Sequence, residues 1–135
     1  MVNEQNKQQA FEVVKSTPYL QLLGIELIEI TAEKVVMSLE MQKKLRQPYG
    51  LLHGGATASL IDTAMAFAVI TAIGTAEKAT TVDLTVQYLR PVTEGKVICT
   101  AKVVRAGKRL LFLSAEVANE QGKLTATAIS TYTKV

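Results

Sequence analysis

The chain has 135 residues, 48% of them hydrophobic, with three prolines and eight glycines. That is the size of one domain, with enough apolar material for a core and without the composition of a disordered chain. A formal charge of +3, with no run of Lys or Arg, is too mild for a nucleic-acid surface and suits an anionic small molecule better.

In chain order, residues 3–16 read as a short amphipathic helix with Ala10, Phe11, Val13 and Val14 on its apolar stripe, and Pro18 ends it. The polar N-terminal stretch lacks the pattern of a signal peptide. Residues 19–23 make a further turn closed by Gly24, so residues 1–20 are a helical extension on a single domain spanning 1–135. Residues 25–31 and 34–41 read as two strands of a hairpin. In the first, Ile25, Leu27 and Glu29 alternate against Glu26, Ile28 and Ile30. A loop over 42–52 carries Lys43, Lys44 and Arg46.

Residues 54–73 then read as one helix, about 30 Å long, apolar nearly all round and stopped by Gly74. A helix without a wet face is a buried helix. It is long enough to span a bilayer, but Asp62, Ser59 and three threonines within it, and flanking strands of water-soluble pattern, argue against a membrane. Four strands follow. In 80–89, Val82, Leu84, Val86 and Tyr88 share one face and Thr81, Asp83, Thr85 and Gln87 the other. Residues 96–106 and 109–119 meet at Gly107-Lys108, and 123–133 follows the turn Asn119-Glu120-Gln121-Gly122. The order is α+β: five or six antiparallel strands curled round one helix. One sheet covers only one side of that helix, so a second copy of the chain is expected on the other. Cys99, the single cysteine, excludes an internal disulfide, and a reducing, cytoplasmic setting is the default.

The chemistry concentrates in the central helix. Its opening turn has backbone N–H groups without partners and a positive dipole end. Gly54 and Gly55 leave that backbone bare, as an oxyanion or carbonyl-polarising site requires, although a tight turn needs glycines too. Asp62 is the single acid between Glu40 and Glu77. Its helical neighbours Ala58, Ser59, Met65 and Ala66 offer little to offset its desolvation. It is therefore either bonded to a strand or a lysine elsewhere, or a base or nucleophile beside a pocket. His53, the one histidine, lies about 13 Å from Asp62 along the helix, so the two cannot serve one bond within one chain. If both are functional, Asp62 of one chain meets the His53–Gly54 end of another across a two-fold axis. One His and one Cys cannot build a zinc cage, and no dinucleotide, Walker or G-x-S-x-G motif is present.

The segment Gln47-Pro48-Tyr49-Gly50-Leu51-Leu52-His53-Gly54-Gly55, with Asp62 downstream, resembles the hotdog-fold acyl-CoA thioesterases. The segment Val82-Asp83-Leu84-Thr85-Val86-Gln87-Tyr88-Leu89-Arg90-Pro91 resembles the strand after the helix in their phenylacetate-pathway, PaaI-type branch. The likeness covers about residues 20–133. Gln47 is similar to the 4-hydroxybenzoyl-CoA and dihydroxynaphthoyl-CoA branch, where the acid is Glu; Asp62 is similar to the PaaI-type branch. The chain combines the two.

The resemblance implies a hotdog fold and a homodimer, commonly a dimer of dimers, with sites at the dimer interface. It implies hydrolysis of an acyl- or aryl-CoA thioester without a metal or other cofactor, CoA being part of the substrate. By match to the motif, Gly54 would offer its N–H to the thioester carbonyl, and His53 and Gln47 would assist there. Asp62 of the other chain would activate water or attack directly, with Thr81 beside it. Arg90, Arg105, Lys108, Arg109 and Lys123, at or near strand ends, are candidates for the CoA phosphates, Arg90, Lys108 and Arg109 foremost. The main alternative is a hotdog module that binds acyl-CoA without cleaving it; no DNA-binding segment supports a repressor of that kind. An enoyl-thioester hydratase ranks last, because its motif resembles an Asp placed before the His, the reverse of the order here.

Overall fold

The computed structural model describes residues 3–135. Helix α1 (Glu4–Ser16) starts where the Asn3 carboxamide oxygen accepts the Asn6 N–H at 2.8 Å, the usual device for an unpaired first-turn donor. Pro18 opens the short helix α2 (Pro18–Leu23), which ends on Gly24 in the left-handed conformation, φ 76°. A Cβ at Gly24 would stand 2.8 Å from the movable end of the Gln42 side chain, so it is the positive φ that asks for glycine there.

Six strands follow the order expected: β1 (Glu26–Ile30), β2 (Val35–Glu40), β3 (Ala79–Tyr88), β4 (Lys96–Ala106), β5 (Leu110–Asn119) and β6 (Leu124–Lys134). They form one antiparallel sheet in the order β1-β2-β4-β5-β6-β3, so β3 crosses to the far edge and pairs with β6 alone. The long helix α3 (Gly54–Ile73) lies between β2 and β3 in the chain and packs against β2, β3, β4 and β5. Leu60, Ile61, Ala64 and Met65 of α3 are fully buried with Met37, Leu39, Cys99 and Leu113 of the strands. Each large side chain taken from water there contributes about 1.5–3 kcal/mol. The apolar length of α3, sufficient for a bilayer by composition, is thus spent on the core of the sheet.

The covering is one-sided. Ala58, Ser59, Asp62, Thr63 and Ala66 are only partly buried and Ile70 is exposed, so α3 keeps an uncovered stripe of small side chains with one acid in it. Tyr19 of α2 reaches the border of this stripe, its hydroxyl 2.6 Å from Ser59 Oγ. Beside the stripe runs β3, an edge strand of ten residues, none of them buried.

Two strands depart from strict alternation. A bulge between Leu27 and Glu29 turns Ile28 out to solvent and keeps Ile25, Leu27 and Ile30 inside. A bulge between Thr81 and Asp83 turns out Val82 and places Thr81 opposite Tyr132, on the inner face with Leu84 and Val86. The face expected for Thr81 from alternation is therefore corrected by one extra residue.

Candidate active site

The N-terminal end of α3 is held from three sides. His53 is the N-cap, and its ring Nδ1 accepts the Gly55 N–H at 2.8 Å. Nδ1 is therefore the unprotonated nitrogen, and the ring proton sits on Nε2. The Tyr88 hydroxyl donates to the Gly54 carbonyl at 2.6 Å, which ties the first turn of α3 to the end of β3. Gln47 closes its own loop: its side-chain oxygen accepts the N–H groups of Tyr49 and Leu51, leaving the amide NH2 as its spare donor. Ala56 N–H bonds the His53 carbonyl, whereas the Gly54 N–H meets no acceptor among the described residues. A cleft of about 310 Å³ opens here, lined by Gln47, Leu51, Gly54, Tyr88 and Arg90 among others. A bare amide at a helix start, in a cleft beside an arginine, suits a developing oxyanion on an anionic substrate. Burial raises the Tyr88 hydroxyl above its usual range, which keeps it a donor.

Asp62 occupies a different place. It takes part in no ion pair among the described residues. Two hydroxyls reach its Oδ1: Thr81 Oγ1 at 2.9 Å and Tyr132 Oη at 2.7 Å, the latter also 3.0 Å from the Asp62 carbonyl oxygen. Hydrogen bonds to a charged group are worth about 1.5–3 kcal/mol each, so the pair offsets part of the desolvation that the helical neighbours cannot. Tyr132 is 3% exposed, and its hydroxyl is pushed up mainly by burial, an effect that a hydrogen bond with Thr81 partly offsets and the hydrogen bond and proximity to Asp62 reinforce. It remains a neutral donor across the working pH range. An apolar groove of about 370 Å³, lined by Ala66, Val69, Ile73 and Tyr132, adjoins this position.

The expected residues thus fall into two groups. His53, Gly54, Gln47 and Arg90 gather at the N-terminal end of α3; Asp62 and Thr81 meet farther along it. Lys108 and Arg109 belong to neither. They sit in the β4–β5 turn, where the Arg109 carbonyl accepts the Lys134 N–H, whereas Arg90 Nη1 bonds the Leu124 carbonyl at the other end of β6. The ten residue steps from Leu124 to Lys134 put about 33 Å between them. Tyr88 and Tyr132 were not among the expected residues. Alternation places both on inner faces, but nothing local announces that each hydroxyl ends on α3.

The model of the thioesterase superfamily matches residues 49–126. The chain is 31% identical over 117 residues to acyl-coenzyme A thioesterase 13 of Homo sapiens, covering 84% of this chain and 83% of that one. It is 28% identical over 104 residues to the 1,4-dihydroxy-2-naphthoyl-CoA hydrolase of Listeria monocytogenes, with 77% and 85% covered. The structure of the E. coli PaaI protein from the phenylacetic acid degradation operon superposes with a TM-score of 0.87 at 25% identity, covering 96% of this chain and 92% of that one.

Proposed function

Since the chain belongs to the hotdog-fold thioesterase superfamily and is a thioester hydrolase, we propose that it cleaves a small acyl- or aryl-CoA thioester at sites shared between two copies of the chain. The observation that carries this reading is the separation of the two half-sites. The bare Gly54 N–H and the Asp62 carboxylate lie eight residues apart on one helix, about 12 Å. That is too far for one scissile bond. Two copies packed through the uncovered stripe of α3, with their helices antiparallel, bring Asp62 of each against Gly54 of the other. The unpaired edge of β3, which runs beside the stripe, is a natural strand-to-strand seam in the same assembly.

In such a site the Gly54 N–H donates to the thioester carbonyl oxygen, where negative charge grows as the carbon is attacked. The Gln47 amide and the His53 Nε2–H border the same approach. Asp62 either takes a proton from water as its oxygen bonds the carbonyl carbon, or attacks that carbon itself and is released by water afterwards. Both routes use one free carboxylate oxygen. Collapse of the tetrahedral intermediate breaks the C–S bond and expels CoA as thiolate. The thiolate takes up the proton that Asp62 removed from water or, on the direct route, a proton of the water that releases the acyl group from Asp62. CoA belongs to the substrate, and protein groups with water suffice for the chemistry. Arg90, already in the cleft, is the basic residue best placed for a CoA phosphate; Lys108 and Arg109 would have to come from another copy. A lone buried thiol, Cys99, suits a reducing cytoplasm.

The test is thiol release from a panel of aryl-, phenylacetyl- and fatty acyl-CoAs by the wild-type protein and by Asp62→Asn. Turnover by the wild type and a loss of about 10²–10⁴-fold in the variant support the reading. Tight binding of every thioester without thiol release favours the non-catalytic module instead.

A further inference from the structure

We propose that Tyr132 is a positioning residue for the Asp62 carboxylate: together with Thr81 it holds Oδ1, and so makes Oδ2 the oxygen that reacts. This rests on the reading of Asp62 as the acid of the site.

Tyr132 lies on the inner face of β6, 70 residues from Asp62 in the chain. Its ring is packed as a core side chain, a task phenylalanine performs equally well. The hydroxyl is aimed at the carboxylate and at the carbonyl of the same residue. It has one proton to share between these two acceptors. The shared contact ties the carboxylate to the backbone of α3 as well as to β6, so the side chain is held relative to its own helix. Thr81, across the β3–β6 pair from Tyr132, donates to the same Oδ1 from the other side.

Two donors on one oxygen stop the carboxylate from turning about χ2, the rotation that would exchange its oxygens. Among the described residues none donates a hydrogen bond to Oδ2 and no buried side-chain oxygen lacks a partner, so Oδ2 is open to solvent. A carboxylate with one oxygen engaged and one open is prepared for proton abstraction or attack at the open one. The surrounding charges do not compete. Lys134 of β6 is paired with Glu77, which precedes β3, at 3.2 Å. Asp83 of β3 accepts the Thr131 N–H on the outer face. On α3 itself Asp62 is the only charged group.

Both hydroxyl donors hold the same carboxylate oxygen, so removing either one frees the group to turn. The test is steady-state thiol release by the full chain, for the wild type, Tyr132→Phe, Thr81→Val, Thr81→Ser and Asp62→Asn. Tyr132→Phe is expected to lose about 10–100-fold in kcat with KM nearly unchanged. A purely structural tyrosine would lower the melting temperature and leave kcat where it is. That result, with Asp62→Asn inactive, overturns the positioning role alone. Should Tyr132→Phe fail to fold, Thr81→Val reads the same arrangement from the other donor: a lower kcat at unchanged KM, restored in Thr81→Ser, supports it, and an unmoved kcat overturns it. An Asp62→Asn protein with the wild-type rate overturns the assignment of Asp62 itself.

Discussion

Thr81 reaches Asp62 Oδ1 at 2.9 Å because β3 carries one residue more than its partner. Had alternation continued back from Leu84, Val82 would face the helix and Thr81 the solvent. The bulge exchanges them, leaving Val82 57% exposed and the threonine hydroxyl on the acid. Thr81→Ser, which keeps the hydroxyl, is therefore expected to retain kcat within a few-fold, and Thr81→Val to lose about tenfold or more, as the loss of one hydrogen bond to a charged group implies. Steady-state thiol release distinguishes the two.

The paired glycines have separable tasks. A Cβ on Gly54 would stand 3.2 Å from Tyr88 Cζ and Oη, and a Cβ on Gly55 3.0 Å from His53 Nδ1. Gly54→Ala thus pushes the tyrosine off the Gly54 carbonyl at the mouth of the cleft. A loss of about 10–100-fold in kcat, with little change in melting temperature, is expected. Gly55→Ala displaces the histidine that caps the helix. Its main effect is on stability, about 0.5–2 kcal/mol, the usual value of an N-cap. Activity assays and thermal melts run side by side read both.

Stability depends on alkaline pH through Cys99. Burial pushes its thiol up to about 12 from the ordinary 9.0. The folded state therefore binds this proton more tightly than the unfolded chain. The stabilisation is complete below about pH 9 and is lost progressively as pH rises towards about 12, at about 1.4 kcal/mol per unit. Tyr132, also raised by burial, adds a loss of the same sign above about pH 10. Denaturant unfolding of wild type and Cys99→Ala at several pH values is expected to show a shallower decline between pH 9 and 12 in the variant.

The proposed shared site requires association through the stripe on α3. Ala58, one turn before Asp62 and only partly buried, sits where a second helix must approach closely. Ala58→Arg is expected to give a folded monomer by sedimentation and circular dichroism, with thiol release close to background. A monomer with the wild-type rate contradicts the shared site.

Much of this was legible in the amino-acid order. The unbroken apolar run of 54–73, the alternation of the later strands and the turns at Gly107-Lys108 and Asn119–Gly122 declare the helix and the meander, since helix, strand and turn each leave a local signature. Gly54 and Asp62 stood out as a bare helix start and as an acid without helical partners. The bulges at Ile28 and Val82 were not legible, because an extra residue leaves composition and apolarity unchanged and shows only against a partner strand. Tyr132 and Tyr88 were hidden for a related reason. Each is an inner-face residue of its strand, and its hydroxyl acquires a meaning only when the sheet curls round α3. The lone His53 stood out as a candidate at the helix mouth, but not as a cap that commits Nδ1 to the Gly55 amide.

The claim on which the rest depends is that each site draws Gly54 from one chain and Asp62 from another. Mixing two inactive proteins tests it. Asp62→Asn and Gly54→Val homodimers are combined, dissociated, reassociated and assayed for thiol release. Random pairing makes half of the dimers mixed, and each mixed dimer holds one site with both residues intact. Activity is then expected to recover to about one quarter of the wild-type value. No recovery above the two parents, in a mixture shown to contain the mixed dimer, would contradict the account.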